Sequence, residues 1–188
     1  MAIKKYLKIF VYGETFTGTS SIVFRFIYNI FNKKSLPTVG IDFQSINIDD
    51  NIFQIWITSG FFCSFSSSFN ENCLYFVLVY DITNRKSFEK IKEYHHNAIT
   101  KNKKIPIFFL VANKIDKQNI EVTTSEGKEL AAKLNMFFFE TSAFTGEGIF
   151  ELFNFIKDFN HPDDKKEPEI QYPRNWFTSM CDLFCLGR

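Results

Sequence analysis

The chain has 188 residues, a formal net charge of +1, 45% hydrophobic residues and 23% charged residues, as expected for one globular domain. The balanced charge argues against nucleic-acid binding by bulk charge, and the four cysteines form neither a CxxC pair nor a Cys/His cluster. Because no apolar run reaches membrane-spanning length and no signal peptide precedes the first apolar stretch, we expect a cytoplasmic protein with reduced thiols.

Strand-like and helix-like segments alternate along the chain. Short apolar runs predict strands at 6–12, 41–48, 52–57, 74–80, 105–112 and 136–140. Helical spacing predicts helices at 20–31, 87–99, 124–134 and 148–159, with Ser87 and Ser125 as candidate N-caps. This alternation indicates an α/β fold with a mostly parallel sheet, in which ligands bind at the carboxyl ends of the strands.

A polar sequence directly after the strand at 105–112 carries the clearest chemistry. It reads NKID, from Asn113 to Asp116. An ionised Asp116 can accept hydrogen bonds from two adjacent N–H groups on the edge of guanine, a bidentate match that adenine does not offer. Asn113 can bridge neighbouring loops, and the alkyl stem of Lys114 can cover the face of the base. Alone, however, four such residues are also typical of an ordinary turn.

A second polar sequence follows the strand at 136–140. It reads ETSA, from Glu140 to Ala143, and the backbone N–H of Ala143 can donate to the guanine oxygen. NKID followed by ETSA resembles the fourth and fifth motifs of the Ras superfamily, and of Rab proteins in particular. The sequences PTVGIDF at 37–43 and YDITNRKSF at 80–88 are also similar to Rab chains. The resemblance runs from about Lys4 to Phe159.

The resemblance implies a P-loop NTPase G-domain, an α/β fold whose mostly parallel six-stranded sheet is flanked by helices. It implies a Rab-like G-domain at 4–160 and a hypervariable C-terminal tail at 161–188. The implied ligands are GTP or GDP with Mg²⁺, and the implied partners are protein effectors or regulators, not nucleic acid. The guanine-binding residues carried over from the family are Phe31, Asn113, Lys114, Asp116, Ser142 and Ala143.

The phosphate-binding loop is only partly preserved. An intact loop reads GxxxxGK[ST] and wraps phosphate with backbone N–H groups at a helix N-terminus. This chain reads GETFTGTS, so Thr19 replaces the lysine. Losing one or two charge-assisted hydrogen bonds of roughly 1.5–3 kcal/mol each weakens phosphate binding by about one to four decades. The expected loop residues are Gly13, Glu14, Phe16, Thr17, Gly18, Thr19, Ser20 and Ser21.

The second switch departs further from the family pattern DTAGQ, because this chain reads ITSGF. Ile57 replaces the aspartate that holds magnesium through water, and Phe61 replaces the glutamine that orients the attacking water. Gly60 keeps an N–H for the γ-phosphate, and Thr38 matches the first-switch threonine that contacts magnesium and the γ-phosphate. We therefore expect a weakened magnesium site at Ser20 and Thr38, no catalytic residue, and slow or absent GTP hydrolysis.

The C-terminal segment changes in composition. From His161 it is polar and contains several prolines, and it ends in an apolar stretch that begins at Trp176. Cys185 stands four residues from the end, but CLGR is a poor prenylation sequence. Two interpretations stay open. The stretch is either an interfacial membrane helix with palmitate on Cys181 or Cys185, or a segment that packs on the domain, on a partner or against a sheet edge.

Several functions are compatible with this sequence. One is a guanine-nucleotide-binding regulator of vesicular traffic, cytoplasmic or peripheral on endomembranes, with impaired hydrolysis; its role in traffic follows from the resemblance alone. Another is a nucleotide-independent pseudo-GTPase that acts as a protein-interaction module. The replacements at 19, 57 and 61 favour the second, and the intact NKID and ETSA sequences favour the first. A third is an active GTPase completed by a partner's arginine, which would not replace the magnesium anchor.

Overall fold

The computed structural model describes residues 5–33, 37–38, 40–59, 73–103 and 106–159. Its strands are β1 (Lys5–Gly13), β2 (Ile41–Ile48), β3 (Asn51–Ser59), β4 (Tyr75–Asp81), β5 (Ile107–Asn113) and β6 (Phe137–Thr141). Its helices are α1 (Thr19–Tyr28), α2 (Arg85–Glu89), α3 (Ile91–Lys101), α4 (Thr124–Lys133) and α5 (Ile149–Asp158). The tail expected at 161–188 lies outside the described residues.

The strands of the described ranges form one six-stranded sheet in the order β2-β3-β1-β4-β5-β6. Only the β2–β3 pair is antiparallel, and its tight turn contains Asp49 in the left-handed region at φ 54°. The other four pairs are parallel. The predicted α/β fold with a mostly parallel sheet flanked by helices is therefore confirmed.

Apolar cores cover both faces of the sheet. Because side chains alternate along a strand, β4 supplies both cores although all its residues are buried. Tyr75, Val77 and Val79 face the core under α1 and α5, whereas Phe76, Leu78 and Tyr80 face the core under α3 and α4. Among the described helices, none is long and apolar enough to cross a membrane.

The helix predicted at 87–99 is two helices, α2 and α3, which meet at Lys90. Its N-cap is Asn84 and not Ser87, because the Asn84 side chain accepts hydrogen bonds from the N–H groups of Lys86 and Ser87 at 3.1 and 3.3 Å. Ser87 lies inside α2, where its hydroxyl donates to the Asn84 carbonyl at 2.7 Å. The earlier cap starts the helix two residues sooner than predicted.

The N-cap of α4 is Thr123 and not Ser125. The Thr123 hydroxyl accepts from the N–H of Glu126 at 3.3 Å, and the Glu126 carboxylate accepts from the N–H of Thr123 at 2.9 Å. This reciprocal pair is a capping box, which satisfies two N–H groups that the first helical turn leaves without partners. Ser125 instead donates from its hydroxyl to Glu129 at 3.1 Å.

Helix α1 ends earlier than predicted. It stops at Tyr28, where Asn29 adopts the left-handed conformation at φ 54° and its N–H donates to the Arg25 carbonyl at 3.0 Å. Asparagine tolerates this conformation, so it serves as a helix C-cap. Ile30 therefore lies beyond the helix and is 59% exposed.

Helix α5 offers a matched test of the core, because Phe153 is fully buried and Phe150 is 48% exposed. Phe153 stacks on Phe26 with ring centroids 3.9 Å apart. We expect Phe153→Ala to lower the free energy of unfolding by about 3–5 kcal/mol through the lost contacts and the cavity. We expect Phe150→Ala to cost less than about half as much. Urea denaturation measures both, and equal losses would contradict the core assignment.

Candidate nucleotide-binding site

The loop between β1 and α1 lies at the carboxyl end of the sheet. Gly13 ends β1, and a Cβ there would stand 2.4 Å from the Val79 carbonyl oxygen, so only glycine fits without movement. The hydroxyl of Thr17 donates to the Glu14 carbonyl at 2.8 Å, and the Thr17 N–H donates to the same oxygen at 3.1 Å. These contacts close the loop into a tight turn directly before α1.

The end of this loop combines a required glycine with a strained aromatic residue. Gly18 caps α1 at φ 96°, and a Cβ there would lie 2.4 Å from the amide nitrogen of Asn113. Phe16 also has positive φ, 67°, which is rare for a bulky residue, and its side chain is 68% exposed. The first turn of α1 contains no acidic residue, so its N–H groups and dipole favour an anion.

The last three residues of the predicted phosphate-binding loop form the first turn of α1. Thr19, in the place of the family lysine, is the first residue of the helix and only 7% exposed. Ser20 and Ser21 follow in the same turn and are half-buried. The helix N-terminus thus presents hydroxyl groups, with no positive charge from position 19.

Tyr94 on α3 holds the loop from the side. Its hydroxyl donates to the carboxylate of Glu14, and its ring packs edge-on against Tyr12 with centroids 4.3 Å apart. Tyr94 is nearly fully buried. Tyr94 was not among the predicted site residues, because its only sequence signal was an aromatic side chain one turn after Ile91 on the apolar face of the helix.

The two predicted magnesium ligands lie together. The hydroxyl oxygens of Ser20 and Thr38 are 2.6 Å apart. Ile57, in the place of the family aspartate, is fully buried in the core under α1 and α5. In the described part of the chain, no group of three or more His, Cys, Asp or Glu could hold a metal. Magnesium prefers charged oxygens, so these hydroxyls fit it only with charge supplied by phosphates.

Gly60 and Phe61 belong to the predicted second switch and lie outside the described residues. Their expected relation to a γ-phosphate stays a prediction. The neighbouring described residues of β3 continue the parallel pairing with β1 up to Gly13. This register brings the end of β3 to the same edge of the sheet as the loop between β1 and α1.

Asn113 joins the loops of the site, which confirms its predicted bridging role. Its amide nitrogen donates to the Thr17 carbonyl at 2.8 Å. Its amide oxygen accepts from the Thr141 hydroxyl and from the N–H of Ala143, each at 3.2 Å. Asn113 is 1% exposed, so these partners replace water. The Ala143 N–H predicted to contact guanine is thus held by Asn113 in this structure.

Asp116 and Ser142 also meet as a pair. The Ser142 hydroxyl donates to one carboxylate oxygen of Asp116 at 2.6 Å. The other carboxylate oxygen lies 3.8 Å from the ammonium of Lys117. Ser142 itself is fixed, because its hydroxyl oxygen accepts from the N–H of Thr145 at 3.1 Å. The carboxylate is therefore oriented by a neighbouring loop before any ligand binds.

Lys114 is anchored by a residue that the sequence analysis missed. Its ammonium lies 2.5 Å from the carboxylate of Asp81, at the end of the neighbouring strand β4. Asp81 also accepts from the N–H and the hydroxyl of Thr83, at 2.8 and 2.7 Å. This ion pair fixes the alkyl stem that is predicted to cover the base. The sequence signals were its place directly after the predicted strand at 74–80 and its position in the Rab-like sequence YDITNRKSF.

Arg25 connects α1 to the ETSA loop and was also missed. Its guanidinium donates to the carbonyls of Ala143 at 3.0 Å and Phe144 at 2.8 Å, and to the carbonyl of Asn29 at 3.0 Å. Phe31 meets the ring of Phe144 edge-on, with centroids 5.4 Å apart. The predicted aromatic Phe31 therefore lies beside the loop that carries Ser142 and Ala143 in sequence.

An exposed ion pair stabilises the start of α4. The guanidinium of Arg85 lies 2.5 Å from the carboxylate of Glu126. Hydrogen bonds from Arg85 and from Thr123 lower the pKa of Glu126 to about 2. The capping carboxylate is consequently ionised throughout the physiological range. The ionised Glu126 carboxylate stabilises the folded state fully above about pH 4.3, the pKa of a glutamate in the unfolded chain. This stabilisation is lost as the pH falls towards 2.

The fold and these loops define a class of protein. A mostly parallel sheet carries a glycine-bracketed loop after β1, NKID at the end of β5 and ETSA at the end of β6, as in a small GTPase G-domain. The family model described as "Ras family" matches residues 8–159. The chain therefore belongs to the Ras family, and the resemblance to Rab proteins is confirmed by its relatives.

Relatives of the chain include Ras-related proteins named Rab-18 and SEC4. The chain is 33% identical over 184 residues to the Ras-related protein Rab-18 of Lymnaea stagnalis, covering 94% of this chain and 87% of the relative. It is 38% identical over 151 residues to Rab-18 of Caenorhabditis briggsae, covering 76% and 74%. It is 32% identical over 154 residues to the Ras-related protein SEC4 of Candida albicans, covering 78% and 73%.

Replacing Asn113 tests whether it holds the loops together. Asn113→Ala leaves the Thr17 carbonyl and the Ala143 N–H without this partner, and each orphaned buried group costs about 1–3 kcal/mol. We expect a lower free energy of unfolding and faster hydrogen exchange at the Ala143 amide. Asn47→Ala, on an exposed face of β2, is the matched control. An Asn113→Ala protein that behaves like this control would contradict the bridging role.

Proposed function

We propose that this protein binds guanine nucleotide and acts as a small GTPase-like regulator of vesicular traffic, with GTP hydrolysis impaired or lost. The observation that carries the proposal is the Asn113 bridge, which ties the phosphate-side loop at Thr17 to the guanine-side loop at Ala143. Such a bridge couples two halves of one ligand site. The role in traffic rests on membership of the Rab-like branch.

Guanine selectivity is proposed to come from Asp116. Its carboxylate accepts one hydrogen bond from Ser142, and a carboxylate has about four acceptor positions. Acceptor capacity for the two N–H groups on the guanine edge therefore remains. The stem of Lys114, anchored at Asp81, and the ring of Phe31 are proposed to contact the base.

Phosphate binding is proposed to depend on backbone N–H groups of the loop from Gly13 to Ser21 and on the N-terminus of α1. Thr19 supplies a neutral hydroxyl in place of the lysine. Ser20 and Thr38 would hold a magnesium ion that arrives with the nucleotide, and the phosphates would supply the charge. Without an aspartate at position 57, metal binding is weakened, and without a glutamine at 61 the attacking water lacks its partner.

A nucleotide-independent pseudo-GTPase is the second candidate. The observation in its favour is Ile57, which is fully buried in the core in the place of a magnesium-holding carboxylate. Thr19 adds to this, because it removes the charged donor to phosphate. In that case the same surfaces would serve protein partners only, and the bridge at Asn113 would be a structural remnant.

The proposal also includes the partners, the location and the domain bounds of the protein. Protein effectors or regulators are the proposed partners, and the proposed location is the cytoplasm with peripheral association on endomembranes through the C-terminal segment. The G-domain is proposed to span 4–160 and the tail 161–188. Each of these follows from the Rab-like branch to which the chain belongs.

Nucleotide binding separates the two candidates. We expect fluorescent GDP and GTP to bind the purified protein more tightly than an ATP analogue, with and without magnesium. Asp116→Asn is expected to remove this preference, since the amide places an NH₂ donor where the second carboxylate oxygen would accept from guanine. Asp49→Asn, in the exposed turn between β2 and β3, is the control. Unchanged guanine preference in Asp116→Asn would refute the assignment, and no binding at high micromolar nucleotide would favour the pseudo-GTPase.

Restoring the lysine tests the phosphate half separately. Thr19→Lys is expected to tighten GDP and GTP binding by at least about tenfold, because it returns one charge-assisted hydrogen bond. Guanosine, which has no phosphate, is expected to bind equally to both proteins. Asn47→Lys adds the same charge at an exposed position of β2 and is the matched control. Equal gains in both variants would point to general charge attraction.

A further inference from the structure

An aromatic surface lies where β6 and α5 meet. We define the aromatic face as Phe137 and Phe139 of β6, Phe155 of α5, and Phe159 directly after α5. Ring centroids are 4.9 Å apart for Phe137 and Phe155, 5.5 Å for Phe137 and Phe159, and 5.5 Å for Phe139 and Phe155. The rings form one continuous cluster that reaches the core at Phe109.

The aromatic face is partly open to solvent. Phe137 and Phe155 are each 39% exposed, although their rings are in contact with each other. β6 is the last strand of the sheet order, so its outer edge has no neighbouring strand among the described residues. Adjacent exposed aromatic rings beside an open sheet edge are costly in water and mark a surface that another segment covers.

The C-terminal part of this chain contains an apolar segment whose composition suits contact with the aromatic face. Phe159, a member of the aromatic face, is where the described chain ends. Sixteen residues, 160–175, separate it from Trp176. The apolar residues that follow are Trp176, Phe177, Met180, Leu183 and Phe184. Sixteen residues reach at most roughly 50–60 Å when fully extended, so the face lies within reach of the segment.

We propose that the C-terminal segment 176–184 docks on the aromatic face of its own domain when the protein is free in solution. The connection raises the local concentration of the segment to the millimolar range, so weak aromatic and aliphatic contacts suffice to hold it. A membrane surface or a second copy must first overcome this intramolecular contact. Docking shields the exposed aromatic rings and the apolar segment at the same time. The proposal does not depend on nucleotide binding.

Tryptophan fluorescence tests the docking directly. The chain has two tryptophans, and Trp56 is buried in the other core, against Phe10 and Phe43. In a Trp56→Phe background of the full chain, Trp176 is the only emitter. We expect its emission to be blue-shifted relative to the urea-unfolded chain, and we expect protection from acrylamide quenching. Both properties are expected to be independent of protein concentration.

Two variants locate the contact. Phe155→Glu is expected to shift the Trp176 emission to the red and to remove its protection, because a carboxylate is placed in the face. Phe150→Glu is the matched control on the same helix, since Phe150 is 48% exposed and packs on Phe26 instead. Leu183→Glu changes only the segment and is expected to have the same effect on Trp176 as Phe155→Glu, with a smaller fall in the unfolding midpoint because the domain core is unchanged.

Four outcomes would overturn the proposal. The first is a Trp176 that is quenched in the native chain as strongly as in urea. The second is a blue shift that arises only after phosphatidylcholine and phosphatidylserine vesicles are added, which would assign the segment to membranes. The third is protection that disappears on dilution, which would assign the face to a second copy. Loss of protection in Phe150→Glu equal to that in Phe155→Glu would also contradict it.

Discussion

The side chain of Asn113 is the interaction on which the site depends. It is buried at the end of β5, and its amide group donates to the loop before α1 and accepts from the loop after β6. Both loops follow parallel strands, whose carboxyl ends meet at one edge of the sheet. A residue with both a donor and an acceptor is needed there, because each loop presents the opposite kind of backbone group.

The two halves of the site on either side of Asn113 differ in how many residues of the family pattern they keep. On the side proposed to bind guanine, Ser142 orients Asp116, Asp81 anchors Lys114, and Arg25 holds the ETSA loop against α1. On the side proposed to bind phosphate, Thr19 stands in the place of the family lysine, and Ile57, in the place of the family aspartate, is part of the core. The charged residues of the family pattern are therefore kept on the first side and lost at positions 19 and 57 on the second. This asymmetry is the physical basis of the proposed guanine binding with impaired hydrolysis.

The abundance of phenylalanine acquires a structural meaning both in the core and at the surface of the domain. Of the 25 phenylalanines, Phe26 and Phe153 stack inside the core, whereas Phe137 and Phe155 form part of the open aromatic face. The same residue type thus stabilises the domain and creates a surface that must be covered. Periodicity alone does not separate these roles, because exposure depends on which strand ends the sheet.

The sequence by itself determined the strand and helix pattern, the mostly parallel sheet, and the NKID and ETSA chemistry, since these depend on local periodicity and on short motifs. It misplaced the caps of α2 and α4, because several neighbouring hydroxyl and amide groups compete for the same N–H groups. Only the tertiary structure decided that Tyr94 holds Glu14 and that Arg25 holds Ala143. These partners are 80 and 118 residues apart in the chain, and only strand order and helix packing bring them together.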